Sequence, residues 1–423
     1  MNEAFLYYLW KFKLYQKDIV TQSGEMLEII HPGQQNMDAG ADFFNARIRI
    51  GDTRWAGNVE IHVNAGDWQK HGHTGDQSYD NTILHVVFDG DFDVIRSDQS
   101  VIPVLQLKGK FDEGRWLQYE KFILSQEWIP CANQISEVDE ISLHQSIDRM
   151  LTDRMERKVG EIDMVLKRNK GNWEESFYQQ LARNFGFKTN AVPFEMVSQF
   201  LSLQTLARHK NNWLQTEALL FGVAGLLGKN LKDEFAKELY KEFIFLRSKF
   251  KLSSIDSYLW KFARMHPAGF PTVRLAQFAH LIYKSSHLFS KILATEKYEQ
   301  VHKLFEVSTS EYWKTHYVFE KETESTEKHF GRGSIDNILI NTLAPFLFYY
   351  GKQHHESDQV DKAIRWLEEC PAESNSTIRR WKGLGLKINS AYESQALLQL
   401  KNEYCDEKKC LICSIGLKLL EQK

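Results

Sequence analysis

Asn36 to Phe88 reads NMDAGADFFNARIRIGDTRWAGNVEIHVNAGDWQKHGHTGDQSYDNTILHVVF, and its hydropathy pattern decides the fold. From Phe44 to Ile50 the apolar Ala46, Ile48 and Ile50 alternate with Asn45, Arg47 and Arg49, the period of two expected of a strand with one buried face. Gly51-Asp52 supplies turn chemistry. The return run Arg54 to Val63 places Trp55, Gly57, Val59, Ile61 and Val63 on one face and Asn58, Glu60 and His62 on the other. Glu60 and His62 therefore project side by side, and Asp42, just upstream of the first strand, is close enough across the hairpin to approach Glu60. Asp67-Trp68, His71-x-His73 and Asp76 follow. Counting His62, these three histidines with their carboxylates compose a set able to ligate Zn²⁺. Tyr79-Asp80-Asn81 turns the chain into a third strand, Ile83 to Phe88, where His85 shares a face with Ile83 and Val87 and reads as a satisfied core residue.

Outward from this stretch, residues 2 to 17 are expected as an amphipathic helix with a stripe of Phe5, Leu6, Leu9, Trp10, Lys13 and Leu14. His31-Pro32-Gly33 is a turn, and Val101 to Lys108 is a fourth strand whose Pro103 marks an edge or bulge. From Ser136 the period changes to 3.6, and helices are expected over 142–169, 173–184, 194–208, 214–227, 231–250 and 272–293. The fold class is therefore α+β: an N-terminal mixed β-sheet domain over 1–135, then a large, mainly α-helical region over 136–423 that ends in a cysteine cluster.

At 423 residues, with 43% hydrophobic and 13% aromatic content, the chain can bury two cores. A net charge of −3 excludes a generally basic nucleic-acid coat, so phosphate contact requires a local patch. The basic run Arg149 to Lys170 is interleaved with Asp153, Glu156, Glu161 and Asp163, as on a solvated helix face. The segment 260–274 holds Arg264, His266 and Arg274 in a loop rich in proline and glycine. Two arginines beside a helix N-terminus suit a phosphate, and they suit equally a clamp on acidic residues between helices. No apolar run reaches the ~18 residues of a membrane span, so a cytoplasmic protein with no membrane partner is expected. P-loop and dinucleotide fingerprints are missing, and the GLGLK of 383–387 has neither spacing nor strand context for nucleotide binding.

An Asp leading into a hairpin whose second strand carries Glu-x-His resembles the PD-(D/E)XK nuclease superfamily over about residues 1 to 110. The resemblance implies that Asp42 and Glu60, helped by the carbonyl of Ile61, hold Mg²⁺ or Mn²⁺ for hydrolysis of DNA or RNA phosphodiesters. His62 stands where lysine is expected. An imidazole orients or deprotonates water but carries no permanent positive charge, and Lys108 is the candidate to supply that charge. Glu3 on the first helix is a candidate acid by the same resemblance, and a helix-dipole partner otherwise. Trp68, His71, His73, Arg264, His266 and Arg274 are the candidate substrate contacts. Along the whole chain, AGADF, GNVEIHV, GDWQKHGH, YDNTILHVV, the IPC of 129–131 and the cysteine-rich tail are similar to domain-of-unknown-function family 2851, a resemblance that implies no activity.

Cys405-x4-Cys410-x2-Cys413 is the second chemical signal, with Cys131 and Cys370 the other cysteines. Close thiols in a reducing compartment favour metal over disulfide. The spacing also occurs in plant-type ferredoxins, whose fourth ligand is remote, and the family resemblance, which includes the IPC segment, makes Cys131 that fourth ligand. Some nucleases of the resembled superfamily hold an iron–sulfur cluster in this one-plus-three manner. Structural Zn²⁺ fits the same residues, as do unmetallated buried thiols. The expected function is a metal-dependent phosphodiesterase. The alternatives are a non-catalytic ligand- or nucleic-acid-binding protein on the same scaffold, and a zinc hydrolase using His62, His71 and His73 with Asp76.

Overall fold

A computed structural model of the chain describes residues 1–36, 39–96 and 98–421. They form two compact units, one comprising Met1–Ser146 with Leu400–Lys423 and the other Ile147–Gln399. The end of the chain thus groups with the N-terminal unit, whereas the sequence placed all of 136–423 together. The local signal of the tail is helical, and helical periodicity does not say which core a helix covers.

The first unit is a mixed sheet with helix α1 (Glu3–Lys11) packed against it. Asn2 caps α1 by accepting from the Phe5 N–H at 3.0 Å, and Phe5, Leu6, Leu9 and Trp10 are wholly buried. The helix stops well short of residue 17 because Lys13 adopts a left-handed conformation at φ 53°. Strands β1 (Ile19–Val20), β2 (Met26–His31), β3 (Gln34–Gln35), β4 (Phe43–Ile50), β5 (Thr53–Asn64) and β6 (Thr82–Asp89) follow. The short pair β7 (Val94–Ile95) and β8 (Val101–Ile102) comes next, then β9 (Val104–Gln106). The main sheet runs β1-β2-β4-β5-β6-β9, with β3 beside β4. It is antiparallel from β1 to β5 and parallel from β5 through β6 to β9. Strand β2 has no sequence signal because Leu27 alone of its residues is buried. Pro103 divides the expected fourth strand, its first half pairing with β7 and its second with β6. Gly57 permits the β5–β6 approach, since a Cβ there would lie 2.5 Å from Ile83 Cγ2 and 2.6 Å from the Asn81 carbonyl.

The second unit is helical apart from the small hairpin His316–Val318 and Lys321–Glu322. Helices expected over 194–208 and 272–293 are each two. Ser202 caps a new turn at Leu203 by accepting from the Thr205 N–H, and His287, left-handed at φ 53°, separates Pro271–Lys284 from Leu288–Ala294. Its core is aromatic, with Trp313, Trp366, Trp381, Phe177 and Phe185 buried. No helix among the described residues is long and apolar enough to cross a membrane.

Candidate metal centre

The hairpin register places the first acid. Arg49 pairs with Arg54 and Ala46 with Gly57, a register that continued would set Asp42 opposite Ile61. A bulge intervenes. Asn45 is left-handed at φ 55° and Phe43 pairs with Val59, so Asp42 arrives opposite Glu60 instead. Its backbone N–H donates to Glu60 Oε2 at 3.1 Å. Its own carboxylate accepts from the Tyr7 hydroxyl at 2.8 Å and from the Ile61 N–H at 2.8 Å. The acid just before β4 and the acid on β5 are thereby locked together.

The loop after β5 folds back over the strand to bring up the other ligands. Asp67 opens the single turn α2 (Asp67–Lys70) and accepts from the Asn64 N–H at 3.0 Å. Gly72, at φ 75°, then reverses the chain so that the His73 N–H donates to the Trp68 carbonyl. Nitrogen atoms of His62, His71 and His73 all lie within 4.8 Å of one another. Glu60 Oε1 is 3.5 Å from His62 Nε2 and 3.3 Å from His73 Nε2. The cluster runs from buried to accessible: Glu60 is 4% and His62 1% exposed, His73 is half-buried and His71 is exposed. Tyr79 stacks on His73 with ring centres 3.9 Å apart, and Trp68 presents its edge to His62, His73 and His85.

His85, expected as core, lies behind His62, with its Nε2 2.9 Å from His62 Nδ1. That contact bears on ligation. When His62 donates its Nδ1–H to His85, its Nε2 lone pair is free to face Glu60 and His71, the tautomer that a metal ligand needs. His85 Nδ1 and Trp68 Nε1 are buried without a hydrogen-bond partner among the described residues.

Burial and mutual proximity shift the charges of this cluster. Burial, then the neighbouring Asp42 charge, pushes Glu60 up to about 9. Burial likewise pushes Asp42 up to about 6 against the pull of the Tyr7 and Ile61 donors. Burial and the adjacent imidazoles push His62 down to about 4 and His85 down to about 3, and His73 is lowered by the same causes. Neutral imidazoles are the form that binds metal, and a divalent ion would restore both carboxylates to their charged form. The donors are imidazole nitrogen with carboxylate oxygen, which fits Zn²⁺ or Mn²⁺ better than Mg²⁺ with its preference for oxygen and retained water.

The other expected site residues make the following contacts. Ile61 contributes its N–H to Asp42. Asp76 caps the turn Gln77–Tyr79, accepting from the Ser78 N–H and hydroxyl, and the carboxylate beside His62 and His73 is that of Glu60. Lys108 is ion-paired with Asp89. Arg264, His266 and Arg274 belong to the second unit. His266 is exposed and accepts from the Ala268 N–H, while Arg274 lies between the rings of Phe187 and Phe330, 4.7 and 5.0 Å from their centres, and bonds Gln277 and Ser334. Arg274 therefore packs as a clamp between helices, with no acid as its partner among the described residues. Glu3 feels His71 and Asp67, and its carboxyl is raised by burial. Tyr7, Tyr79 and the site role of His85 went unseen in sequence, because aromatic and strand residues with apolar neighbours carry no signal separating core from site.

No match to a curated protein and no match to a solved structure is found. Residues 3–376 match a single family model. On that coverage, the chain belongs to the family described as Protein of unknown function (DUF2851).

Proposed function

We propose that the first unit is a metal-dependent hydrolase acting on phosphodiesters, with Glu60, His62, His71 and His73 as the metal-holding set. One observation carries the reading: three imidazole nitrogens lie within 4.8 Å of one another, with a buried carboxylate oxygen 3.3 to 3.5 Å from two of them. An ion held there would act as a Lewis acid toward a phosphoryl oxygen and lower the pKa of water to near neutrality. Asp42 orients Glu60 through its backbone N–H and is itself held by Tyr7 and Ile61. His85 holds the His62 ring. Exposed His71 and half-buried His73 line the open side, where substrate and water enter. The phosphodiester class rests on the resemblance of Asp42 and Glu60-x-His62 to the PD-(D/E)XK pattern. Its support here is that a strand-entry acid and the following strand's Glu meet at one site.

The test is cleavage of single-stranded, duplex and branched nucleic acids with Zn²⁺, Mn²⁺ or Mg²⁺, comparing wild type with Glu60→Gln and His73→Ala. Cleavage by wild type with Mn²⁺ or Zn²⁺, lost in both variants, is expected. Wild type as inert as the variants on every substrate would leave a non-catalytic binding protein.

A further inference from the structure

We propose that Cys131, Cys405, Cys410 and Cys413 together ligate a thiophilic metal centre built into the first unit, separate from the histidine cluster. The unit is assembled from the two ends of the chain, Cys131 coming from one segment and the other three from the second. None of the four is in a disulfide, and Cys410 and Cys413 are only 7% and 8% exposed.

The tail presents its thiols through a built turn. The Lys408 N–H donates to the Cys405 carbonyl at 3.1 Å, with Lys408 left-handed at φ 50°. The single turn Cys410–Ile412 follows, and then the helix Ser414–Glu421, whose Leu417 N–H donates to the Cys413 carbonyl at 2.8 Å. That helix crosses so closely that a Cβ on Gly416 would lie 2.3 Å from the Cys410 carbonyl oxygen. Lys408 Nζ donates to the carbonyls of Ile123 and Ser125, tying the tail to the chain just before Cys131. Cys131 is fixed in turn, its carbonyl accepting from the N–H groups of Gln134 and Ile135 at 3.0 Å each.

The four thiols are near enough to interact. Cys405 interacts electrostatically with Cys131, Cys410 and Cys413, and Cys410 with Cys131 and Cys413. Four soft donors brought together, two buried and two half-buried, with no disulfide among them, are the donor type that a tetrathiolate site uses. Among the described residues, the donors that all approach within 4.8 Å are those of the histidine trio, whereas Zn²⁺ on four thiolates draws sulfurs to about 3.8 Å. Three thiols spaced Cys405-x4-Cys410-x2-Cys413 with a fourth, Cys131, remote in sequence suit an iron–sulfur cluster. The turn Cys410–Ile412 packs against α1, and α1 packs against β5, which carries Glu60 and His62. The centre therefore buttresses the helix whose Tyr7 holds Asp42.

Full-length wild type, Cys131→Ser, Cys413→Ser and Cys370→Ser, purified without oxygen, test the proposal by iron, acid-labile sulfide and zinc content and by visible absorbance. Iron with matching sulfide and visible colour is expected in wild type and in Cys370→Ser, whose thiol belongs to the second unit, and is expected to fall at least tenfold in the other two. One zinc per chain with the same pattern of loss supports the same four ligands with the smaller ion. If Cys131→Ser and Cys413→Ser are insoluble, thiol titration of native wild type decides: protected thiols that a chelator releases support the centre. Four freely reactive thiols, a disulfide, iron and sulfide retained in both variants, or a zinc content that neither variant lowers relative to wild type overturns it.

Discussion

Glu60 in the first unit and Glu217 in the second are both buried carboxylic acids, and their surroundings are opposite in kind. Glu217, wholly buried, accepts from Trp213 Nε1–H at 2.9 Å, from Trp313 Nε1–H at 3.1 Å and from the Ser310 hydroxyl at 3.3 Å. These donors have no other chemistry, and burial still pushes the group up to about 7. Glu60 has one backbone donor and otherwise faces a second acid and imidazole nitrogens. An acid ringed by donors is a structural cross-link. An acid ringed by atoms that themselves seek a cation is half of a binding site, and counting donors against acceptors separates the two where burial alone does not.

The largest expected effect breaks the comparison on the Glu60 side. His62→Ala should remove stoichiometric metal from the histidine centre and abolish hydrolysis, measured by metal analysis and substrate cleavage. His62→Lys sharpens it: lysine restores the nuclease-like pattern but removes a nitrogen ligand, so a histidine-held ion predicts loss, and full activity with Mg²⁺ would return the site to an Asp42–Glu60 oxygen centre. His85→Ala, which leaves the four ligands in place but frees the His62 ring, should weaken metal affinity by about 10- to 100-fold, read by competition with a chelator.

On the Glu217 side the effect is on stability. Its folded pKa lies above the ordinary 4.5, at about 7, so the folded state holds the extra proton between those values. The stabilisation is full below about 4.5 and is lost as pH rises toward 7. Glu217→Gln should flatten this part of the stability–pH curve, measured by urea denaturation, while metal content stays at the wild-type level. An unchanged slope would mean that other groups titrate there. Smallest is Arg274→Lys, which keeps the charge but loses the flat stacking between Phe187 and Phe330. A loss of about 1 kcal/mol in stability with no change in hydrolysis is expected, and a selective rise in KM would instead make Arg274 a phosphate contact.

Much of the first unit was legible because strand alternation is local: Ala46, Ile48 and Ile50 against Arg47 and Arg49, and Glu60 beside His62. The Asn45 bulge was not legible, since a left-handed asparagine looks like any polar strand residue, yet it decides which residue Asp42 meets. His71 and His73 could be picked out as ligand types, but the approach of His73 to Glu60 and of His71 to His62 depends on the reversal at Gly72. Asp76 misled because an acid near histidines resembles a ligand, while its Asp-x-Ser spacing also encodes a turn cap. His85 looked like core and is core by burial; only its distance to His62 gives it a second role.

The central claim is that Glu60, His62, His71 and His73 hold one divalent ion. Its most direct test is the zinc and manganese content per chain of Cys413→Ser protein, freed of the cysteine centre, with and without His62→Ala. About one ion per chain in the first and none in the second is predicted. Equal content in the two, or no ion in either after incubation with Zn²⁺ or Mn²⁺, would contradict it.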